Sequence, residues 1–282
     1  MDQRIINLYD EYTHQPLSRD VFLKRLVKIT GSMAAAMSIL PLIETNYAHA
    51  AVTQSDELFT ERVSWEGANG KMTGYFARPK KEAKYASVMV IHENRGLNPH
   101  IEDVARRAAR AGYVALAPDA LAPQGGTPEN QDQAREMFGK IDAQQNLQNF
   151  IKGFDYLKTR NDTNGSMGCV GFCWGGAMVN QLAVHVPDLK AGVSFYGRQP
   201  DAADVPKIKA AIQLHYGSQD ERINAGIAAY EEALKKAGVR YELYIYEGAQ
   251  HAFHNDTSTA RYNEAAAKLA WQRTLDFYKK YL

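Results

Sequence analysis

"MGCVGFCWGGA", residues 167–177, sets a cysteine between glycines at the end of a short apolar run. The run Met167–Phe172 reads as a buried β-strand, and the segment beginning near Gly176 reads as a helix. Between them lies Gly171-Phe172-Cys173-Trp174-Gly175, the spacing G-x-C-x-G. Glycine on both sides lets a strand turn sharply into a helix, which lifts the middle side chain above the sheet. The same turn aims the first N–H groups of the helix at that side chain. Taken alone, a cysteine between glycines is a small core residue. The chemical reading depends on the strands around it.

Those strands recur along the chain. From Phe59 to Pro79, alternating residues on either side of Asn69-Gly70 predict a hairpin. "ASVMVIH" (86–92), "YVALAPD" (113–119), "AGVSFYG" (191–197), "AAIQLHYG" (210–217) and "RYELYIYEG" (240–248) read as further strands. Helical patterns separate them: 100–112, a long pattern over 129–160 broken midway, 223–238 and 260–281. Such alternation predicts an α/β fold, a mostly parallel sheet with helices on both faces, in a single domain over residues 51–282. Chemistry in such sheets gathers at the C-terminal strand ends.

Four strand ends carry polar residues: "HENRG" (92–96), "GFCWGG" (171–176), "YGSQD" ending at Asp220, and "EGAQH" ending at His251. Cysteine, then acid, then histidine is a chain order that suits nucleophilic catalysis. An imidazole draws the thiol toward thiolate, and a carboxylate fixes the tautomer of that imidazole and steadies its charge. Taken singly, Asp220 reads equally as a helix cap and His251 as a surface residue. All three at separate strand ends, in order, read as a triad.

Together "HENRG", "GFCWGG", "YG…D" and "EGAQHAF" resemble the dienelactone hydrolase family of the α/β-hydrolase fold, over residues 60–282. The resemblance implies Cys173 as nucleophile, His251 as base and Asp220 as its orienting acid. It implies an oxyanion hole from the backbone N–H groups of Trp174 and Asn94, and a role for Glu93 in activating the thiol. "SFYGR" (194–198) resembles a further family segment and places Tyr196 and Arg198 near the functional edge, where an ion pair is the other reading of Arg198. Dienelactone hydrolases proper carry an arginine four residues after the histidine to hold the substrate carboxylate. Asn255 stands at that position, so neutral esters or lactones are the expected substrates. The segment 120–143 is expected to cover the pocket.

Residues 1–50 read differently. A basic region, an apolar run of about 15 residues (Ile29–Ile43) and Ala48-His49-Ala50 have the layout of a signal segment with a cleavage site. "SRDVFLK" (18–24) resembles the twin-arginine export motif, with Asp20 where its second arginine belongs. The run is too short to span a bilayer. A periplasmic or otherwise exported protein is the expectation, and an amphipathic extension on a cytoplasmic protein is the alternative.

The composition agrees with a globular enzyme. The 282 residues are 45% hydrophobic and 23% charged, with net charge +1, which weighs against a nucleic-acid surface built on bulk charge. Cys169 and Cys173 lie too far apart along a strand to pair. His92 and His215 lack ligand-like spacing, and neither a metal nor another cofactor is expected. The expected activity is hydrolysis of small esters or lactones through a thioester acyl-enzyme. The alternatives are a thioesterase or other acyl-transfer enzyme with the same triad, and an idle binding module on the same fold.

Overall fold

The computed structural model describes residues 1–47, 53 and 56–282; the Ala48-His49-Ala50 site of the signal-like layout lies outside the described residues. The hairpin forms as expected, with β1 (Leu58–Glu66) antiparallel to β2 (Lys71–Pro79) around the Asn69-Gly70 turn. It adds to one eight-stranded sheet of order β1-β2-β4-β3-β5-β6-β7-β8. β3 (Tyr85–Ile91), β4 (Val114–Pro118), β5 (Thr163–Phe172), β6 (Ala191–Phe195), β7 (Ala211–Gly217) and β8 (Tyr241–Tyr246) run parallel. The central strands are buried on both faces, which is why they read as unbroken apolar runs.

Helices cover the two faces: α4 (Pro99–Arg110), α5 (Gln131–Phe138), α6 (Ala143–Thr159), α7 (Trp174–His185), α8 (Glu221–Asn224), α9 (Ile227–Ala237) and α10 (Glu264–Tyr281). Three boundaries depart from the periodicity. α7 starts at Trp174, directly on the elbow. The helix expected over 223–238 is split into α8 and α9 at Gly226, where a Cβ would meet the Gln199 side-chain oxygen at 2.3 Å. α10 begins at Glu264, because Thr257, Ser258 and Arg261 are held in turns that follow Asn255.

Residues 1–47 of the signal-like segment form three helices. α1 (Gln3–His14), α2 (Arg19–Thr30) and α3 (Met33–Ile43) are capped by the side chains of Asp2, Ser18 and Ser32. They share a small core of their own, including Leu8, Tyr9, Tyr12, Phe22, Leu26, Leu40 and Ile43. Among the described residues no single helix is long and apolar enough to cross a membrane; α2 and α3 reach that length only together, bent by 111°.

Candidate active site

The turn at Cys173 is sharp, as its sequence predicts, and its backbone is strained. Cys173 sits at φ 57° and ψ −112°, a left-handed backbone that only a closely packed setting sustains. Its N–H donates to the Phe195 carbonyl at 3.0 Å, and its carbonyl accepts from Ala177 at 3.1 Å. A Cβ on Gly171 would lie 2.0 Å from the Gly175 oxygen, and one on Gly175 would lie 2.4 Å from the Ile91 oxygen. Strand and helix approach each other so closely that only glycine fits on either side of the thiol. Cys169 is buried in the core, and both cysteines are free.

His251 arrives on the loop between β8 and α10. Its Nδ1 lies 2.5 Å from Asp220 Oδ2, and both side chains are almost wholly buried. Asp220 carries out both of the roles its sequence position allowed: Oδ2 holds His251, while Oδ1 accepts from the Ile223 N–H and caps α8. With Nδ1 engaged, His251 Nε2 has no hydrogen-bond partner among the described residues. It points into the space shared with Cys173 Sγ.

A second imidazole occupies that space. His14, the last residue of α1, places Nε2 3.1 Å from Cys173 Sγ. Its Nδ1 lies 2.8 Å from the Asp10 carbonyl, which takes the hydrogen bond, and 3.0 Å from the Asp10 carboxylate, whose Oδ1 acts as a nearby charge. The His14 and His251 rings meet edge to face at 4.7 Å. Burial opposes ionisation of Cys173, but His14 and then His251 outweigh it and bring the thiol down to about 6. Burial likewise disfavours charge on both imidazoles. Cys173 and Asp10 nevertheless raise His14, and Asp220 and Cys173 raise His251. Cys169 shows burial alone, with its thiol pushed up.

Glu93 lies on the other side. Its Oε2 accepts from Asn255 Nδ2 at 2.8 Å, and Oε1 lies 3.5 Å from the Tyr196 hydroxyl. These are the hydrogen bonds of its carboxylate among the described residues; its backbone carbonyl lies 2.6 Å from His92 Nδ1. Asn255 is fully buried, with Oδ1 bound to Thr257, and stands behind Glu93. Tyr196, also buried, has a positive φ of 39° and sets its ring 5.0 Å from that of His251. Arg198 is exposed and makes no ion pair among the described residues; its carbonyl accepts from Asn180.

Trp174 opens α7, so its N–H belongs to the first helical turn, which has no partner within the helix. Its ring stacks on His92 at 5.6 Å, and His92 in turn accepts from the Ala120 N–H. Asn94 donates its side-chain amide to the Thr13 carbonyl at 2.6 Å. His215 is a core residue, bonded to Tyr246 and Gln213. A cleft of about 540 Å³ opens beside Asn94 between residues 13–18 and the end of α5, lined among others by His14, Leu17, Arg135 and Phe138. Residues 135–139, within the segment 120–143, line one wall of it.

Cys173 Sγ and one ring nitrogen each of His14 and His251 all fall within 4.8 Å of one another. Within that cluster His14 Nε2 is hydrogen-bonded to Cys173 Sγ, and the donor set of two imidazoles and a thiol is also one that could hold a metal ion. His14 and Asp10 are hidden in the sequence because residues 1–50 read as a leader; the period of α1, with Ile5, Leu8, Tyr9 and Tyr12 on one face, is the signal that points to a docked helix instead.

The Dienelactone hydrolase family model matches residues 72–282. The "Putative carboxymethylenebutenolidase" of Methylorubrum extorquens is 31% identical over 94% of this chain and 96% of its own length. That of Synechocystis sp. is 33% identical over 79% of this chain and 97% of its own. The crystal structure of a "Putative Dienelactone Hydrolase" from Klebsiella pneumoniae superposes with a TM-score of 0.73 at 28% identity, covering 79% of this chain and 99% of that one. The chain belongs to the dienelactone hydrolase family, hydrolases of lactones and esters on the α/β-hydrolase fold.

Proposed function

We propose that the protein hydrolyses small neutral esters or lactones through Cys173, His251 and Asp220, by way of a thioester acyl-enzyme. The observation that carries this reading is a strained elbow thiol, drawn down to about 6, facing an imidazole that is locked from behind by a buried carboxylate. The Cys173 thiolate attacks the carbonyl carbon, and the carbonyl electron pair moves onto oxygen, facing the N–H groups of Trp174 and Asn94. Collapse of that intermediate expels the alkoxide, which takes the proton held by His251. Water then gives a proton to His251 Nε2 and attacks the thioester; collapse returns the thiolate, and ester plus water has become acid plus alcohol. In a lactone the acid and alcohol remain one molecule.

Asn255 supports the neutral substrate class. It is short, uncharged, buried and already bound to Glu93, so it offers no clamp for a carboxylate. The test is a stopped-flow burst with an activated aryl ester, followed by a screen of lactones, aryl esters and thioesters. A burst of one equivalent that disappears in Cys173→Ala is the expected result. The absence of any burst in the wild type would leave a binding module. A strong preference for anionic lactones would overturn the neutral class.

A further inference from the structure

Helix α1 lies outside the matched family segment, which begins at residue 72, yet it ends on the nucleophile. It is fastened there from several directions. Arg222, next but one to Asp220, binds the Asp10 carboxylate at 3.1 Å. Arg135 donates to the carbonyls of Tyr12 and Leu17, and Asn94, on the loop proposed to form the oxyanion hole, donates to that of Thr13. Tyr9 packs against the guanidinium groups of Arg95 and Arg261. The hydrolase body supplies arginines, an amide and the Asp132 carboxylate, which accepts from the Tyr12 hydroxyl at 2.6 Å; the N-terminal segment supplies carbonyls, rings and the Asp10 carboxylate.

The contact has a direction. His14 ends α1, where the helix dipole is negative and favours an imidazolium, and Cys173 heads α7, where the dipole is positive and favours a thiolate. Two helix ends of opposite sign therefore meet across 3.1 Å. Because Nδ1 is committed to the Asp10 carbonyl, Nε2 is the atom that shares a proton with sulfur. His14 also lines the cleft, and Cys173 does not, so the imidazole stands between the cleft and the thiol.

We propose that His14 is a second acid–base partner of Cys173, delivered by the N-terminal helix and backed by Asp10, and that it gates the thiol toward the cleft. In the closed state the thiolate is paired with imidazolium and covered; for acyl transfer His14 turns aside and opens the thiolate to the cleft. The step moves one proton between sulfur and Nε2 and needs no co-reactant. The charged and titratable groups facing His14 are Asp10 on its own helix, Cys173 on the elbow, His251 on the β8–α10 loop, and Arg222 of α8 through Asp10. The inference rests on the reading of Cys173 as the nucleophile. It also requires residues 1–50 to stay on the chain, in opposition to the processing that the sequence layout suggests.

The test is alkylation of the full-length protein by iodoacetamide across pH, read at Cys173 by peptide mass spectrometry with buried Cys169 as internal reference. His14→Gln removes the charge and should raise the midpoint of thiolate reactivity by about one pH unit or more. His14→Ala removes the cover and should raise the limiting rate several-fold. Asp10→Asn keeps the ring in place and should shift the midpoint in the same direction by less. An unchanged midpoint in His14→Gln would overturn the proposal. So would an intact mass beginning at Ala51, or one equivalent of zinc held by the purified protein, since the thiol would then be a metal ligand. Activity surviving in Cys173→Ala would instead overturn the nucleophile, and the alkylation data would still report on His14.

Discussion

Two imidazoles reach Cys173 from opposite ends of the chain, and they are held by different kinds of structure. His251 rides on a loop anchored by β8 and α10, with its carboxylate at the end of β7 and almost no exposure on either side chain. His14 rides on a helix with a separate small core, joined to the body by arginines, amides and rings across a partly open seam. The first partner can be lost only with the sheet. The second can be lost by undocking α1–α3, an opening that costs only the contacts along the seam. On the proposed reading, the fold-encoded partner makes the constant arm of the site and the docked partner the arm that can open and close.

The largest effects test the permanent arm. Cys173→Ala should cut hydrolysis by about 10⁴-fold or more with the melting temperature held, measured as kcat/KM on an aryl ester. Asp220→Asn should cost about 10²- to 10⁴-fold in kcat, because His251 loses both its orientation and the charge that steadies the imidazolium. If Asp220→Asn and Asp10→Asn cost equal amounts, the distinction between the two arms fails.

The pH profile comes next. Cys173 is depressed to about 6, so the thiolate predominates above that value and disappears as pH falls through it. The acid limb of kcat/KM should therefore have its midpoint near 6, and in His14→Gln that limb should move to higher pH. Glu93→Gln separates another possibility. Glu93 is held by Asn255 and Tyr196, so this variant should change acylation less than Asp220→Asn does, measured by single-turnover kinetics.

The smallest effect sharpens the docking. Arg222→Ala removes a partly exposed ion pair worth about 0.2–1 kcal/mol. Hydrogen exchange should show α1 opening a few-fold more often while the central strands stay protected. Equal loosening of α1 and β5 would mean that the segment and the sheet open as one unit.

Much of this was legible in the residues. Buried parallel strands read as apolar runs, and the glycines around Cys173 announced a turn too tight for side chains. Asp220 and His251 were readable because parallel topology brings strand ends to one edge. Less legible was Asn255, whose place behind Glu93 depends on a contact spanning 162 positions. Least legible was the N-terminal segment. A basic stretch followed by an apolar run satisfies a leader and a packed helix pair equally, since both need apolar side chains removed from water.

The amino-acid sequence by itself determined the sheet, the tight turn at Cys173 and the placing of Cys173, Asp220 and His251 at successive strand ends, because these follow from local periodicity and from turns that only glycine permits. Tertiary structure alone decided that His14 meets Cys173, 159 positions away, that Asp10 answers to Arg222, and that Asn94 is tied to the end of α1. Those pairings join surfaces that are each ordinary on their own element. Their meaning lies in which face of α1 docks on the sheet edge, and no short pattern along the chain encodes that choice.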